Sequence, residues 1–258
     1  MMEMPNRVTP QEGSAGMYYP HPVELNSSEL ELLALLEKDS REYPRDHVLA
    51  PAGAEADRLF MLKKGWACAM RTLADGQRQV LDVFLPGQIM GLREMSFSTN
   101  LSEFRTLTPV VVSSFTRQQL SEMFATSPRL ATLFFMMAAR EQSVLIERIV
   151  SIGRRTAAAR LAHFIVEMRM RLGKSCREFE MPLNQTVIGD ALGLTSVHVS
   201  RTFTLLKQMK LVERHSGCIR IRDLDRLVEF AGFDRDYLNG NPSWPNEMTA
   251  VSITATRH

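Results

Sequence analysis

TVIGDALGLTSVHVSRTFTLLKQMK, residues 186–210, carries the spacing of a helix-turn-helix. A first helix over 186–192 would turn Val187, Ile188, Ala191 and Leu192 inward. Gly189, lacking a Cβ, lets a second helix pack close, and Gly193 supplies the tight turn at positive φ. Thr195 is the expected cap of the second helix, whose Val199, Phe203 and Leu206 recur at i, i+4, i+7 and mark a core face. The opposite face holds Ser196, Val197, Ser200, Arg201 and Lys207, the side expected to meet nucleic acid. Two helices with well-placed glycines could be ordinary packing. The flanking sequence decides.

LVERHSGCIRIRD follows at 211–223: short strand-like segments at Leu211-Val212 and Ile219-Arg220-Ile221 around Ser216-Gly217. A hairpin beside a helix-turn-helix is the wing of a winged helix. Residues 153–222 hold 13 Lys+Arg against 5 Asp+Glu, a balance of +8, which leaves −6 on the rest of a chain whose total is +2. Such segregation suits binding to a phosphate backbone, with an attraction that salt weakens steeply. A solvated basic surface would explain the charge alone, without the spacing or the wing.

The chain's 258 residues can hold one large or two ordinary domains. Apolar residues at 45% and charged residues at 23% are usual for a soluble protein. No apolar run approaches the ~20 residues of a membrane span, and the N-terminus lacks the basic start and apolar stretch of a secretory signal. Cys68, Cys176 and Cys218 are odd in number and far apart, so neither a disulfide framework nor zinc spacing is expected. A cytoplasmic protein with reduced thiols is. Flexible segments are expected over residues 1 to about 24 and after Gly240.

Over 45–116 short strands alternate with turns, including Pro51-Ala52-Gly53, Lys63-Lys64-Gly65, Asp75-Gly76 and Pro86-Gly87, as in a β-roll. A helix over 28–37, capped by Ser28, precedes it. Ser127-Pro128 opens a long helix to about 152. On it Ala131, Phe135, Ala138, Gln142, Leu145, Ile149 and Ile152 alternate by four and three, a coiled-coil type of seam that predicts a partner helix. Leu133, Phe134, Met137 and Val144 lie on a neighbouring face that suits the chain's own barrel. The organisation read is therefore an arm (1–24), a sensor-type β-roll (25–126), a dimerisation helix (127–152), a winged helix-turn-helix (153–231) and a tail (232–258), α+β overall. A two-fold homodimer would present paired helices to a pseudo-palindrome.

This order of elements over about 25–231 resembles the Crp/Fnr family of bacterial transcription regulators. Leu192-Gly193-Leu194-Thr195, Val199-Ser200-Arg201 and the barrel glycines Gly53, Gly65, Gly76, Gly87 and Gly91 carry the likeness. The resemblance implies a cytoplasmic homodimer that binds a palindromic promoter and recruits or blocks RNA polymerase. It makes Arg201 the reader of a guanine edge, through a bidentate donor pair. It also puts Ser196, Val197 and Ser200 at base-facing positions, and Asn184 and Gln185 at backbone phosphates beside Thr195 and His198. Family members commonly carry a glutamate near position 197. Valine there touches a thymine methyl and accepts no hydrogen bond, so a different operator is expected, with His198 as a candidate substitute.

The front half departs further. The family's Arg-Ser and Gly-Glu pairs, which hold a cyclic nucleotide, are replaced by Asn100-Leu101 and Gly91-Leu92, and the base-contacting pair by Leu145-Ile146. An anionic phosphate needs a fixed cation or N–H nest, and only the unmatched Arg93 and Arg105 are on offer. Cyclic AMP is not expected as effector. An iron–sulfur cluster is not expected either, with no cysteine before Cys68. Haem has only Cys68 and His47 as nominal ligands, and no metal spacing is present. Cys176, beside Lys174 and Arg177, is the candidate oxidation sensor, with a solvated loop as the plainer reading. His163 is read as structural.

Two other functions fit the residues less well. An enzyme with a regulatory barrel lacks a phosphate loop, a G-x-S-x-G elbow and metal spacing. An interaction protein with only non-specific DNA affinity would select no operator.

Overall fold

The structure is a computed structural model and describes residues 25–173 and 177–239. The expected arm at 1–24, most of the tail and Cys176 lie outside the described residues. Helix α1 spans Ser27–Leu36. Its cap is Asn26 rather than Ser28. Asn26 Oδ1 accepts from the Glu29 backbone N–H, and the Glu29 carboxylate accepts from the Asn26 N–H, both at 2.9 Å. A serine already inside the first turn cannot make this reciprocal box.

Eight strands follow: β1 (Ser40–Tyr43), β2 (Val48–Ala50), β3 (Arg58–Lys64), β4 (Ala67–Thr72), β5 (Arg78–Phe84), β6 (Ile89–Met90), β7 (Glu103–Thr106) and β8 (Val110–Thr116). They form two antiparallel four-stranded sheets, ordered β1-β8-β3-β6 and β2-β7-β4-β5. Gly65 sits at φ +86°, and a Cβ there would lie 2.3 Å from the Pro109 carbonyl oxygen, so this turn admits only glycine.

Both sheets are apolar on both faces. Phe60, Leu62, Ala67, Ala69, Phe84 and Phe104 fill the space between them. Leu59, Met61 and Phe115 point outward from the first sheet into helices α1, α2 (Arg117–Thr126) and α3 (Pro128–Arg154). Trp66, Cys68, Met70, Val80 and Val83 point outward from the second, into the rear of the chain. Central strands such as RLFMLKK therefore read as continuous apolar runs, without polar alternation.

Helix α3 is 27 residues, about 40 Å, long. Leu133, Phe134, Met137 and Val144 are buried against the body, as their spacing implied. Phe135 (67% accessible) and Ile149 (71%) stand in the open. Ile146 and Val150, which the seam leaves out, are exposed beside them. Within the seam Ala138 and Gln142 are exposed, whereas Leu145 and Ile152 are half-buried by their own chain.

The rear module contains α4 (Ala157–Arg171), β9 (Glu178–Glu180), α5 (Gln185–Leu192), α6 (Ser196–Gln208), β10 (Val212–His215), β11 (Cys218–Ile221), α7 (Leu224–Ala231) and α8 (Asp236–Asn239). The wing has three strands, in the order β10-β11-β9, one more than the expected hairpin. Strand β9, only three residues long, pairs Phe179 with Ile219. Ser216 and Gly217 turn the hairpin with positive φ at both central positions, the backbone twist that suits a two-residue loop.

Candidate nucleic-acid interface

Helix α5 begins at Gln185, one residue before the expected start, because the Asn184 side chain accepts from the Val187 N–H at 2.8 Å. With its Oδ1 committed to the cap, Asn184 has only its side-chain NH2 to offer a phosphate. A Cβ on Gly189 would fall 2.4 Å from the Leu194 carbonyl oxygen, so the two helices meet at the closest approach that glycine allows. Gly193 ends α5 at φ +63°. Thr195 caps α6 by accepting from the His198 N–H at 3.2 Å.

The faces of α6 then sort as its periodicity requires. Val199 and Leu206 are fully buried, Thr202 is buried beside them, and Phe203 is half-buried beneath the Arg214 guanidinium, 4.9 Å from its ring centre. Ser196, Val197, His198 and Arg201 are exposed on the outer face of the first two turns, and Ser200 is half-exposed at its edge. Asn184 and Gln185 are exposed at the start of α5. The Arg201 guanidinium has no hydrogen bond or ion pair among the described residues.

The positive charge of this module is less uniform than its count. Arg155, Arg160, Arg171 and Arg214 donate to carbonyls or carboxylates of their own chain. On the wing Arg220 pairs with Glu178 at 2.8 Å and Arg222 with Glu213 at 2.6 Å. Arg201, Lys207 and Lys210, on and just after α6, are exposed cations without such partners among the described residues.

Several charged side chains, most of them buried, fix the module to the rest of the chain, and sequence reading missed them. Arg171 of α4 donates to the Asp82 carboxylate (3.0 Å), the Val83 carbonyl (2.6 Å) and the Gln88 side-chain oxygen (3.0 Å) on the barrel. Glu167 accepts from both Arg171 and Arg148, each at 3.1 Å. Arg160 ties the Leu192 carbonyl, at the helix-turn-helix, to that of Ile152 at the end of α3. Arg78 of β5 pairs with Asp190 of α5 at 3.0 Å. The available signal was charged residues inside apolar helical stretches, Glu167 and Arg171 in FIVEMRMR among them. His163, read as structural, lies buried between Phe233 and Tyr237. Burial and the Arg155 charge push its pKa down to about 4. Its approach to Glu147 at 3.2 Å therefore involves a neutral imidazole at neutral pH, and the geometry is not that of a hydrogen bond.

In the barrel, Asn100 is buried and donates weakly to the carbonyls of Pro51 and Glu55. Arg93 is taken by the buried Glu94 (2.7 Å) and by Ser102 (2.6 Å), and Arg105 by Glu103 (2.6 Å). Glu94 also accepts from the Leu101 N–H at 3.2 Å. An internal carboxylate thus occupies a cation and an N–H donor. Burial pushes the Cys68 thiol up to about 12, so it stays protonated, while His47 is exposed and stacks on Tyr43. Cys218 is half-buried in the wing. Among the described residues no group of three or more His, Cys, Asp and Glu is placed to hold a metal, and no helix is long and apolar enough to cross a membrane.

Comparison with known proteins matches this arrangement. Residues 40–127 match the cyclic nucleotide-binding domain family, and residues 159–230 the Crp-like helix-turn-helix domain family. The chain is 31% identical over 182 residues to the transcriptional activatory protein AadR of Rhodopseudomonas palustris, covering 68% of this chain and 74% of that one. It is 26% identical over 217 residues to the transcriptional activator FnrA of Stutzerimonas stutzeri, covering 82% and 88%. Among solved structures, FixK2 from Bradyrhizobium japonicum superposes with a TM-score of 0.70 at 25% identity, covering 76% of this chain and 98% of that one. With the barrel, the long helix and the winged helix-turn-helix in this order, the chain belongs to the Crp/Fnr family and is a DNA-binding transcription regulator.

Proposed function

We propose that the chain acts as a cytoplasmic homodimer on a palindromic promoter site, without cyclic AMP, and recruits or blocks RNA polymerase there. The observation that carries this reading is the outer face of α6, where exposed Val197 and Arg201 stand opposite buried Val199 and Leu206, with exposed Ser196 at the helix start. Arg201 reads a guanine through two donors. Val197 contacts a thymine methyl, and Ser200 and His198 flank them. Asn184, Gln185 and Thr195 face the backbone. The chain performs no catalysis in this role.

The dimer joins through Phe135, Ala138, Gln142, Leu145, Ile149 and Ile152 on α3, helped by Ile146 and Val150. Burying this largely apolar face against a second α3 removes it from water. Independence from cyclic AMP is supported by Glu94, whose carboxylate already holds Arg93 and the Leu101 N–H where an anionic ligand would need donors. No resident iron–sulfur cluster or haem is proposed, since Cys68 is a buried thiol and His47 is an exposed ring stacked on Tyr43.

Selection of duplexes from a random pool tests this. Enrichment of one inverted repeat, with half-site centres about one helical turn apart, is the expected result. Retention of duplexes without any enriched sequence would instead support non-specific affinity and overturn the reading.

A further inference from the structure

A cavity of about 430 Å³ lies between strand β5, the 93–96 turn and helix α3. That is room for a small organic molecule. Phe84, Phe97 and Phe104 give it an aromatic wall. Ala138, Gln142 and Leu145 of the proposed seam border it, and three charged side chains line it: Asp82, Arg93 and Glu141. Two of them are already compensated. Asp82 holds Arg171 at 3.0 Å, with Arg148 at 3.9 Å, and Arg93 holds Glu94 at 2.7 Å. Glu141 has no hydrogen bond or ion pair among the described residues. Of the three, Glu141 alone is left without such a partner, and once ionised it makes the cavity net negative.

We infer that the cavity binds a small organic cation, a primary amine or guanidine on an apolar body, with Glu141 as its counter-charge, and that Asp82 passes occupancy to the DNA-binding module. This rests on the proposed reading that the regulator does not answer to cyclic AMP. The aromatic wall takes the apolar body, and the ammonium meets the Glu141 carboxylate, where the low local dielectric strengthens the pairing. An anion of the same shape finds no counter-charge there and meets repulsion once Glu141 is ionised. Asp82 lines the same cavity and also anchors Arg171 of α4, so a cation in the cavity competes with Arg171 and Arg148 for that carboxylate. Occupancy thereby loosens the joint that holds the recognition helices.

Burial and the Asp82 charge push the Glu141 carboxyl up to about 8, against a partial pull downward from Arg171 and Arg93. A bound cation has to displace that proton at neutral pH. Amine affinity should therefore rise as pH increases from about 6.5 to 8.5, by roughly 20-fold.

Calorimetry on the full chain tests this with phenethylamine, its isosteric acid 3-phenylpropionate, and cyclic AMP. The amine should bind at least about tenfold tighter than either anion, strengthen with pH, and shift the affinity for the selected operator. Glu141→Gln should keep the fold, with an unfolding temperature no lower than that of the parent, and should lose both the amine preference and its pH dependence. Equal or tighter binding of the acid or of cyclic AMP, absence of amine binding, or an unchanged Glu141→Gln response would overturn the site. Amine binding that leaves operator affinity unchanged would overturn the coupling through Asp82. A chain that takes the amine yet selects no operator would retain the site and sink the promoter reading instead.

Discussion

The Arg171 guanidinium lies 3.0 Å from the Asp82 carboxylate, 89 residues away in sequence, and fastens the helix beneath the DNA-binding module to strand β5 of the barrel. Both side chains are almost fully buried. Breaking a buried pair from one side leaves an uncompensated charge, at a cost of about 3–5 kcal/mol. Arg171→Ala should therefore lower stability by about that amount and separate the unfolding of barrel and rear module. Urea titrations followed by Trp66 fluorescence and by circular dichroism would check this. Coincident transitions at the parental midpoint would contradict it.

The seam prediction is sharpest at its two most exposed residues. Phe135→Asp with Ile149→Asp puts two charges where each protomer would bury apolar surface. Sedimentation velocity should show monomers whose DNA affinity falls to a non-specific level. A persistent tight dimer would move the interface to another surface.

Gly189→Ala asks whether the helix-turn-helix depends on close approach. The added methyl meets a backbone oxygen, which cannot swing aside as a flexible side chain could. Destabilisation of about 1–3 kcal/mol is expected, with thermal unfolding as the measurement.

These joints also show what a sequence can and cannot reveal. The helix-turn-helix was legible because Gly189, Gly193 and Thr195 act locally: close approach, positive φ and capping are decided within a few residues. The split of α3 into a body face and an open face was legible from helical period. The third wing strand was not, because EFE is too short to carry a period and forms only by pairing with β11. The α1 cap went to Asn26 because three adjacent polar residues compete there and only the reciprocal bond with Glu29 selects one. Asp82 with Arg171, and Glu141 in its cavity, were invisible because their meaning depends on partners from distant elements.

Stability should fall on the acid side through His163. Its pKa is depressed from 6.5 to about 4 in the folded chain, while an unfolded imidazole takes up its proton near the ordinary value. The contribution of the neutral ring is whole above pH about 6.5 and declines as pH falls toward 4, by up to roughly 1.4 kcal/mol per unit. His163→Phe keeps an aromatic ring against Phe233 and Tyr237 while removing the proton site. Its pH–stability curve should be flatter between pH 4 and about 6.5, as read by thermal unfolding in a pH series.

Arg201 is the residue on which DNA reading turns, and its replacement by alanine should cost about 1–3 kcal/mol at the cognate site. Methylation interference at guanine N7, run on the selected operator with the parent and with Arg201→Ala, tests its role most directly. The parent should show interference at one guanine in each half-site, symmetric and about one helical turn apart, and the variant should lose sensitivity at those two positions alone. Interference that is identical in the two proteins, or confined to one half-site, would contradict a pair of α6 helices reading the duplex through Arg201.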